Sequence, residues 1–296
     1  MNAQAPRTWL FVAGADAAAH AAAASSGADV LVQEFEDFTP PALRPRAREL
    51  SPALLERWRR RGAAVGVRIN PLEGDGLADL EAAMPGGPDF VMMSKVSTPG
   101  QVALLDVEVT QLERAHGIAP GATKLVPNVE SAAGLMRTFD IARASPRVAA
   151  LLVASEDMVA DLGTVRSRRG GELAYVRARF LVECRAAGVE AIDCPYTFSD
   201  AKGAAADART AKKLGYRAKS LVIAAHAQVV NRVFTPSAAE IARARRIVAA
   251  FDKARAAGKD RAKVDGAWIE VPIHAAATRL LASVARTPAP RRRTRG

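Results

Sequence analysis

Acidic residues follow short apolar stretches at several points along the chain. The stretch LVASEDMVADLG, residues 152–163, places Glu156 and Asp157 directly after an apolar run of strand length. Glu130 follows the stretch KLVPNV in the same way. An unpaired ionised carboxylate in apolar surroundings costs roughly several kcal/mol. Carboxylates at these positions therefore need a cation as partner, and a bound metal ion is the hypothesis that this pattern raises.

The ends of the other predicted strands are polar as well. Several carboxylates in one cleft would repel each other and raise their pKa values unless a cation lay among them. Oxygen ligands without His or Cys suit a hard divalent ion, so we expect Mg²⁺ ahead of Mn²⁺. The further candidates at strand ends are Glu34, Glu36, Asp37, Arg68, Asn70, Lys95, Asp193 and Tyr196.

Each of these residues also has a simpler structural interpretation. A single acid at a strand end often caps a helix or pairs with an arginine. Arg68 can pair with Glu36, and Lys95 can be a surface lysine. Asp161 lies one helical turn after Asp157, which fits N-terminal helix chemistry. The four histidines fall on helical stretches without forming a ligand cluster, and Cys194 lacks a recognisable His partner for nucleophilic catalysis.

Eight strand-length apolar stretches alternate with longer helical segments rich in Ala, Leu and Arg. Continuously apolar strands are typical of a parallel sheet that is covered on both faces. Eight such units predict a closed (β/α)₈ TIM barrel, with a doubly wound open sheet as the alternative. Neither glycine motif of nucleotide-binding open sheets is present, and many strands end in polar residues, as in a barrel with its site at one mouth. The predicted strands are WLFVAG, DVLVQEFED, AAVGVRIN, DFVMMSKV, TKLVPNVE, VAALLVASED, VEAIDCPY and AKSLVIAA.

The pattern predicts a catalytic domain followed by an appendage. We assign residues 1–234 to the barrel, in which HAQVVNRVF closes the last unit. Residues 235–285 are too few for an independent domain and are interpreted as a helical lid or oligomerisation arm. Residues 286–296 form a disordered basic tail in this interpretation.

The composition limits the possible functions. The 296 residues include 49% hydrophobic and 25% charged side chains, the profile of a soluble globular protein. Of the formal charge of +11, four positive charges lie in the last ten residues, and the remaining excess is spread over helices. Nucleic acid is thus not an expected partner, apart from non-specific contact by the tail. No apolar run is long enough to span a membrane, and two cysteines without disulfide or zinc spacing favour a cytoplasmic location.

At this point the chain resembles the HpcH/HpaI aldolase family, in its branch similar to the citrate lyase beta subunit. The resemblance covers most of the chain, from about Arg7 to Leu281. It is carried by the order and spacing of RTWLFVAG, QEFEDFTPPALRPRAR, VRIN, MMSKV, VPNVESAAGL, ASEDMVADLG, GVEAIDCPY, NRVFTPS and DGAWIEVP. The resemblance implies a (β/α)₈ barrel, usually oligomeric as a trimer or hexamer, with a divalent metal held by two carboxylates.

The resemblance also implies roles for individual residues. The two metal ligands of the family fall on Glu130 and Asp157, and the acidic pair that orders metal-bound waters falls on Glu36 and Asp37. A further set binds substrate or transfers protons: the substrate-carboxylate arginine falls on Arg68, Lys95 is a candidate for substrate binding, and the lid aspartate that a neighbouring subunit contributes reads Glu270 here.

Some residues depart from the family pattern. The chain has FVAG where FVPG is usual, and Ser94-Lys95 where the family has Pro-Lys. The motif IHPxQ, near the coenzyme A channel, aligns with residues 222–226, which read VIAAH. This departure leaves the binding of coenzyme A open, whereas the metal pair is intact.

Three functions fit these residues. The first is a Mg²⁺-dependent carbon–carbon lyase that acts on a 3-hydroxyacyl thioester of the citryl-CoA or malyl-CoA kind. The second is a class II-type aldolase that acts on free 4-hydroxy-2-oxo acids without coenzyme A. The third is a non-catalytic barrel subunit that binds a partner, although such a subunit has no use for clustered acids.

Overall fold

Eight parallel strands close into a barrel in the computed structural model, which describes residues 6–285. Each strand pairs with its neighbours in chain order, and β1 pairs with β8 to complete the ring. The (β/α)₈ TIM barrel predicted from the sequence is therefore confirmed. The strands are β1 (Thr8–Ala13), β2 (Val30–Glu34), β3 (Ala64–Ile69), β4 (Phe90–Met93), β5 (Lys124–Val129), β6 (Ala150–Val153), β7 (Glu190–Asp193) and β8 (Ala218–Leu221).

Alternate residues of each strand face opposite sides of the barrel wall. In β1, Trp9 and Phe11 belong to the cluster inside the barrel, whereas Leu10 and Val12 pack in the cluster between strands and helices. Both sides are therefore apolar, which explains why the strands read as continuous hydrophobic runs. A strand-end residue points to the barrel mouth only when it continues the inward-facing series.

The helices follow the strands as the sequence pattern predicts. The helix after β4 begins with a capping box, in which Thr98 and Gln101 satisfy each other's backbone N–H groups. In the residues described, the helices of the barrel unit are α1 (Ala17–Ser25), α2 (Arg44–Arg60), α3 (Gly76–Ala83), α4 (Pro99–Ala115), α5 (Ala132–Leu135), α6 (Thr138–Arg143), α7 (Glu156–Asp161), α8 (Ala174–Ala187), α9 (Ala201–Leu214) and α10 (Ala227–Phe234).

The structure divides into two compact units, residues 6–234 and the described residues from Thr235 onward. The second unit contains α11 (Ala238–Ala256), a hairpin of β9 (Ala262–Val264) and β10 (Ala267–Ile269), and α12 (Val271–Ala285). Its own core includes Ile247 and Phe251 of α11 and Ile269 of the hairpin. The sequence analysis interpreted this segment as a helical lid or oligomerisation arm and did not predict the hairpin. The predicted basic tail, residues 286–296, lies outside the described residues.

The hairpin turn has a clear cause in the sequence. Asp265 and Gly266 both have positive φ, of 50° and 81°, at the two central positions between β9 and β10. An Asp-Gly pair is the typical sequence for such a two-residue turn, because glycine adopts this backbone without strain.

Among the described residues, no helix has both the length and the apolar character needed to cross a membrane.

Candidate active site

A cavity of about 580 Å³ lies at the carboxyl-terminal ends of the barrel strands. Its charged lining consists of Arg68, Asp37, Glu156 and Asp157, and most of the remaining wall is apolar. Active sites of TIM barrels occupy this end of the barrel. One guanidinium and three carboxylates in a mainly apolar cavity offer a place for an anionic group and a place for a cation.

Arg68, near the end of β3, lies at the centre of the charged groups. Its side chain is buried, and its Nε donates to Glu34 Oε1 at 2.9 Å. Its Nη2 lies 3.1 Å from Glu36 Oε2, and its Nη1 lies 4.0 Å from Glu130 Oε1. Burial alone would lower the pKa of Arg68, but the surrounding carboxylates raise it, so that the guanidinium stays charged. Among the described residues, Nη1 has its ionic contact with Glu130 at the long distance of 4.0 Å, so it can donate to an anionic ligand.

Glu34, at the end of β2, fixes the loop that follows. Its two carboxylate oxygens accept hydrogen bonds from the backbone N–H groups of Glu36 and Phe38, both at 2.6 Å. Together with the hydrogen bond from Arg68, these contacts satisfy both oxygens of the fully buried carboxylate with groups of the protein itself. The sequence placed Glu34 among the acids of the mouth, and the structure gives it the role of positioning Arg68 and the 35–38 loop.

Two aromatic rings flank the arginine. The Arg68 guanidinium lies 5.2 Å from the ring centroid of Phe11 and 5.6 Å from that of Phe38. These are distances at which a cation is attracted to an aromatic face. Neither phenylalanine was a sequence candidate. The only signal was position, because Phe11 faces into the barrel from β1 and Phe38 follows the acids of the β2 loop.

Lys95 lies close to the acidic pair Glu36 and Asp37. Its Nζ is 2.5 Å from Glu36 Oε1 and 4.0 Å from Asp37 Oδ1, with half of the side chain exposed. The hydrogen bond to Glu36 raises the pKa of Lys95 above its usual value. Burial raises the pKa of Glu36, although Arg68 and Lys95 oppose this effect. The structure thus brings Lys95, Glu36, Asp37 and Arg68 together.

The backbone at Lys95 is unusual. Its φ is 56°, in the left-handed region that non-glycine residues seldom adopt. The next residue, Val96, donates its N–H to Asn128 O, and its carbonyl oxygen would lie 2.7 Å from a Cβ at Gly134. Only glycine fits at position 134, which explains this residue in the stretch ESAAG. The loop after β4 is thereby held against the end of β5.

Glu130, directly after β5, is a buried carboxylate that accepts no hydrogen bond of normal geometry from the described residues. Neither of its oxygens accepts a hydrogen bond of normal geometry, and only 2% of its side chain is exposed. Burial raises the pKa of Glu130 to about 7, and the charges of Asp157 and Glu36 add to this rise; Arg68 and, to a smaller extent, the nearby backbone N–H of Lys95 oppose it. A buried acceptor of this kind is rare in folded proteins and calls for a cation or a proton.

Asp157 is the second carboxylate that could hold such a cation. It lies in the first turn of α7, is partly buried, and lines the cavity. Among residues 6–285, no group of three or more His, Cys, Asp or Glu side chains has the arrangement of a metal site. Two carboxylates are nevertheless sufficient for Mg²⁺, which commonly takes one or two from the protein and completes its shell with water and substrate oxygens. The unpaired oxygens of Glu130 therefore fit a magnesium ion.

The other acids near α7 have structural partners. Glu156 accepts a hydrogen bond from Thr197 Oγ1 at 2.9 Å and lies 3.7 Å from Arg166. Asp161 accepts from the backbone N–H of Ala132 at 2.7 Å, in the first turn of α5. Asp161 thus has N-terminal helix chemistry, as expected, but for a different helix from its own.

Three further sequence candidates have structural partners, and for one of them, Asp193, the prediction as a mouth residue was wrong. Asp193 continues the outward-facing series of β7, because Ile192 faces into the barrel. It binds Arg177 and Lys219 at 2.7 and 2.6 Å in a buried cluster beneath the helices. Tyr196 is buried and donates to Asp200, and Asn70 donates to Asp79.

Glu270 belongs to the second unit. It is exposed, directly precedes α12, and its carbonyl oxygen accepts from the N–H groups of Ile273 and His274. Its side chain is therefore available to a ligand or to another chain. Its role at the site of a neighbouring subunit stays a prediction.

The chain matches the family model HpcH/HpaI aldolase/citrate lyase over residues 7–224. It is 33% identical to citrate lyase subunit beta of Escherichia coli strain K12 over 271 residues, which are 90% of this chain and 89% of that protein. It is 29% identical to L-malyl-CoA/beta-methylmalyl-CoA lyase of Cereibacter sphaeroides, with 90% of each chain covered.

A solved structure agrees with these relatives. The chain superimposes with a TM-score of 0.74 and 27% identity on protein CitE from Mycobacterium tuberculosis in complex with magnesium, acetoacetate and coenzyme A. The comparison covers 96% of this chain and 100% of that one. The likeness therefore extends over both units described above.

Proposed function

The chain belongs to the HpcH/HpaI aldolase/citrate lyase family, and on this premise we propose that it cleaves a carbon–carbon bond in a 3-hydroxyacyl thioester of the citryl-CoA or malyl-CoA kind. It is a carbon–carbon lyase with magnesium as its cofactor, in line with its named relatives and the magnesium complex of CitE. The observation that carries the proposal is Glu130, a buried carboxylate beside Arg68 that accepts no hydrogen bond of normal geometry from the described residues.

In this proposal Glu130 and Asp157 hold the metal. When bound there, Mg²⁺ supplies Lewis-acid polarisation of the oxygens next to the bond that breaks. Glu36 and Asp37 orient its water molecules, and Lys95 and Arg68 keep these two acids in place through the ion pairs described above. The charges of Asp157 and Glu36 both raise the pKa of Glu130, and a cation between Glu130 and Asp157 would oppose this effect.

Arg68 binds the carboxylate of the substrate in this proposal. Its Nε is fixed by Glu34, whereas Nη1 has only the 4.0 Å contact with Glu130. A planar guanidinium that is held at one side can offer its remaining N–H groups to a carboxylate in a defined orientation. Lys95, with half of its side chain exposed, can add a second positive charge at the substrate.

Cleavage requires removal of a proton from the substrate hydroxyl group. The electron pair of that O–H bond forms the new carbonyl, and the pair of the breaking carbon–carbon bond moves into the enolate of the thioester, which then takes up a proton at carbon. Glu270 is the candidate for this proton transfer. We propose that Glu270 acts at the site of a neighbouring subunit in a trimer or hexamer. The two cysteines are free and buried, and we propose a location in the cytoplasm, where they stay reduced.

A CoA-independent aldolase that acts on free 4-hydroxy-2-oxo acids is the second candidate. Val222 and Ala224 line the cavity where the family carries IHPxQ, and their side chains offer no polar group to a coenzyme A chain. The same metal and arginine would serve a free oxo acid, because this chemistry also needs a stabilised enolate.

The test compares the variants Glu130→Gln and Asp157→Asn with the unchanged protein. We expect each variant to lose about tenfold or more in Mg²⁺ affinity and at least about a hundredfold in turnover. Isothermal titration measures the metal affinity, and a panel of malyl-CoA, citryl-CoA and free 4-hydroxy-2-oxo acids measures turnover and separates the two candidates.

Asp161→Asn is the matched control, because Asp161 lies on the same helix and its amide variant can still accept from Ala132. The control should retain both metal affinity and turnover. Unchanged magnesium binding and unchanged turnover in Asp157→Asn would refute the assignment of the metal site.

A further inference from the structure

The second unit contains a cleft of its own, of about 680 Å³. It lies between the end of α11 and the exposed face of the β9–β10 hairpin. Its floor is made of small residues, chiefly alanines. The side chains that could contact a ligand are Lys253, Lys259, Asp260, Arg261, Lys263 and Trp268.

The positive charges of this cleft are not balanced. In the part of the chain that the structure describes, no carboxylate lies within ion-pair distance of Lys253, Lys259 or Lys263. Arg261 lies 3.9 Å from Asp260, whose side chain is 84% exposed, and an exposed pair of this kind contributes little. Lys253 lies in the last turn of α11, where its positive charge interacts favourably with the helix dipole. The other three cations lie beyond the helix.

Trp268 gives the cleft an exposed aromatic face. About half of this side chain is accessible, whereas the two other tryptophans of the chain, Trp9 and Trp58, are buried. Trp268 and Lys263 are cross-strand partners in the hairpin, so they lie side by side. The Arg261 guanidinium lies 4.5 Å from the indole centroid, and Lys263 Nζ lies 5.8 Å from it.

From this arrangement we infer that the cleft binds an adenine nucleotide, with the base stacked at Trp268 and the phosphates at the four cations. An aromatic ring next to three lysines without a carboxylate partner among the described residues and one weakly paired arginine suits a ligand that combines a π-system with phosphate charge. A single exposed ring provides a place for one base, whereas proteins that bind single-stranded nucleic acid stack successive bases on several rings. The inference does not depend on the proposed lyase activity.

Both free ADP and the nucleotide end of coenzyme A carry this chemistry. The experiment titrates the full-length protein at low salt with ADP, adenosine 3′,5′-bisphosphate and adenosine, while tryptophan fluorescence is recorded. We expect both phosphorylated ligands to change the fluorescence with saturation, and adenosine to bind at least about tenfold more weakly, since it lacks the charge. Tighter binding of the bisphosphate identifies coenzyme A as the source, and tighter binding of ADP identifies a free nucleotide.

The variants test the residues. Trp268→Phe should abolish the fluorescence response while titration calorimetry still detects binding, and Trp268→Ala should weaken binding about tenfold. Lys259→Gln and Lys263→Gln should each weaken binding several-fold and reduce its dependence on salt. Arg245→Gln is the control, because Arg245 is exposed on α11, carries the same charge and lies outside the cleft.

Three results would overturn the inference. The first is no saturable response to either nucleotide. The second is equal weakening by Arg245→Gln and the lysine variants, which would show a general effect of net charge. The third is binding of a short oligonucleotide without binding of the mononucleotides, which would assign the cleft to nucleic acid.

Discussion

Arg68 is held in position by a carboxylate that no ligand is expected to contact. Glu34 uses one oxygen for the Arg68 Nε and the N–H of Glu36, and the other for the N–H of Phe38. The arginine and the acidic loop are thus tied to one buried group. Precision at the site depends on this group as well as on the residues that face the cavity.

We therefore expect Glu34→Gln to impair catalysis without removing the metal site. The NH₂ group of the amide would face one of the N–H groups that now donate to the carboxylate, and the lost hydrogen bond should destabilise the fold by about 1–3 kcal/mol. Misplacement of Arg68 should lower kcat/KM at least about tenfold. Steady-state kinetics and urea unfolding measure the two effects.

Magnesium affinity should be nearly unchanged in this variant, because Glu34 is not one of the proposed ligands. Glu56→Gln, at an exposed helix pair with Arg60, should leave kinetics and stability close to those of the unchanged protein. A Glu34→Gln enzyme with normal kcat/KM would show that the arginine does not need this support.

At the scale of residues, the sequence predicts which side chains have suitable chemistry better than it predicts the directions in which these side chains point. Arg68 and Glu130 were candidates because of their type and their place after apolar strands, and both lie at the mouth. Asp193 had the same signal but faces the helices. Strand parity separates these cases, because Ile192 must face the barrel interior. Contacts of Phe38 and Glu34 depend on the path of a loop, which no periodicity predicts.

At the scale of elements, a buried charge cluster joins two strands to two helices. Arg177 of α8 contacts Asp193 of β7 and Asp207 of α9 at 2.7 and 2.9 Å. Lys219 of β8 contacts the same two acids at 2.6 and 2.5 Å. Each of these four side chains is at most 6% exposed, so each charge is stabilised by the opposite charges of the cluster instead of by water.

Removing one charge from this cluster should cost far more than removing a surface charge. We expect Asp193→Asn to destabilise the protein by about 3–5 kcal/mol, because Lys219 and Arg177 lose the carboxylate that both contact. Urea unfolding measures the change. Glu49→Gln, which breaks an exposed pair with Arg46, should cost less than about 1 kcal/mol. A loss of similar size in both variants would mean that the cluster adds nothing specific.

The elements themselves were largely predictable. Continuous apolar runs between helical segments predicted all eight barrel strands, since a parallel sheet is covered on both faces. The β9–β10 hairpin was missed, although Asp265-Gly266 is a strong turn signal. Its strands have three residues each, too short to show the alternation by which strands are recognised.

At the scale of the whole molecule, we propose that Glu270 of one chain completes the site of a neighbouring chain. If Glu270 acts on a neighbouring subunit, the variants Glu130→Gln and Glu270→Gln should each have low activity, and mixing them should restore some of it. Random assortment gives about a quarter of the sites an intact barrel and an intact glutamate. The activity of a refolded one-to-one mixture, compared with each variant alone, measures this restoration.

The control mixes Glu130→Gln with Asp157→Asn chains. These two changes lie in the same barrel, so no assortment gives an intact site, and the mixture should stay inactive. An inactive mixture of Glu130→Gln and Glu270→Gln would instead show that a single chain contains the whole site, whereas full activity of Glu270→Gln alone would show that Glu270 has no part in it.

The left-handed backbone of Lys95 has a consequence for anyone who engineers this enzyme. Glycine adopts that conformation without strain, so a redesign guided by heat resistance alone would replace the lysine early. The positive charge beside Glu36 would then disappear. Position 95 thus combines a backbone conformation that suits glycine with a charge that glycine cannot supply, and a selection for stability needs a turnover screen to preserve the lysine.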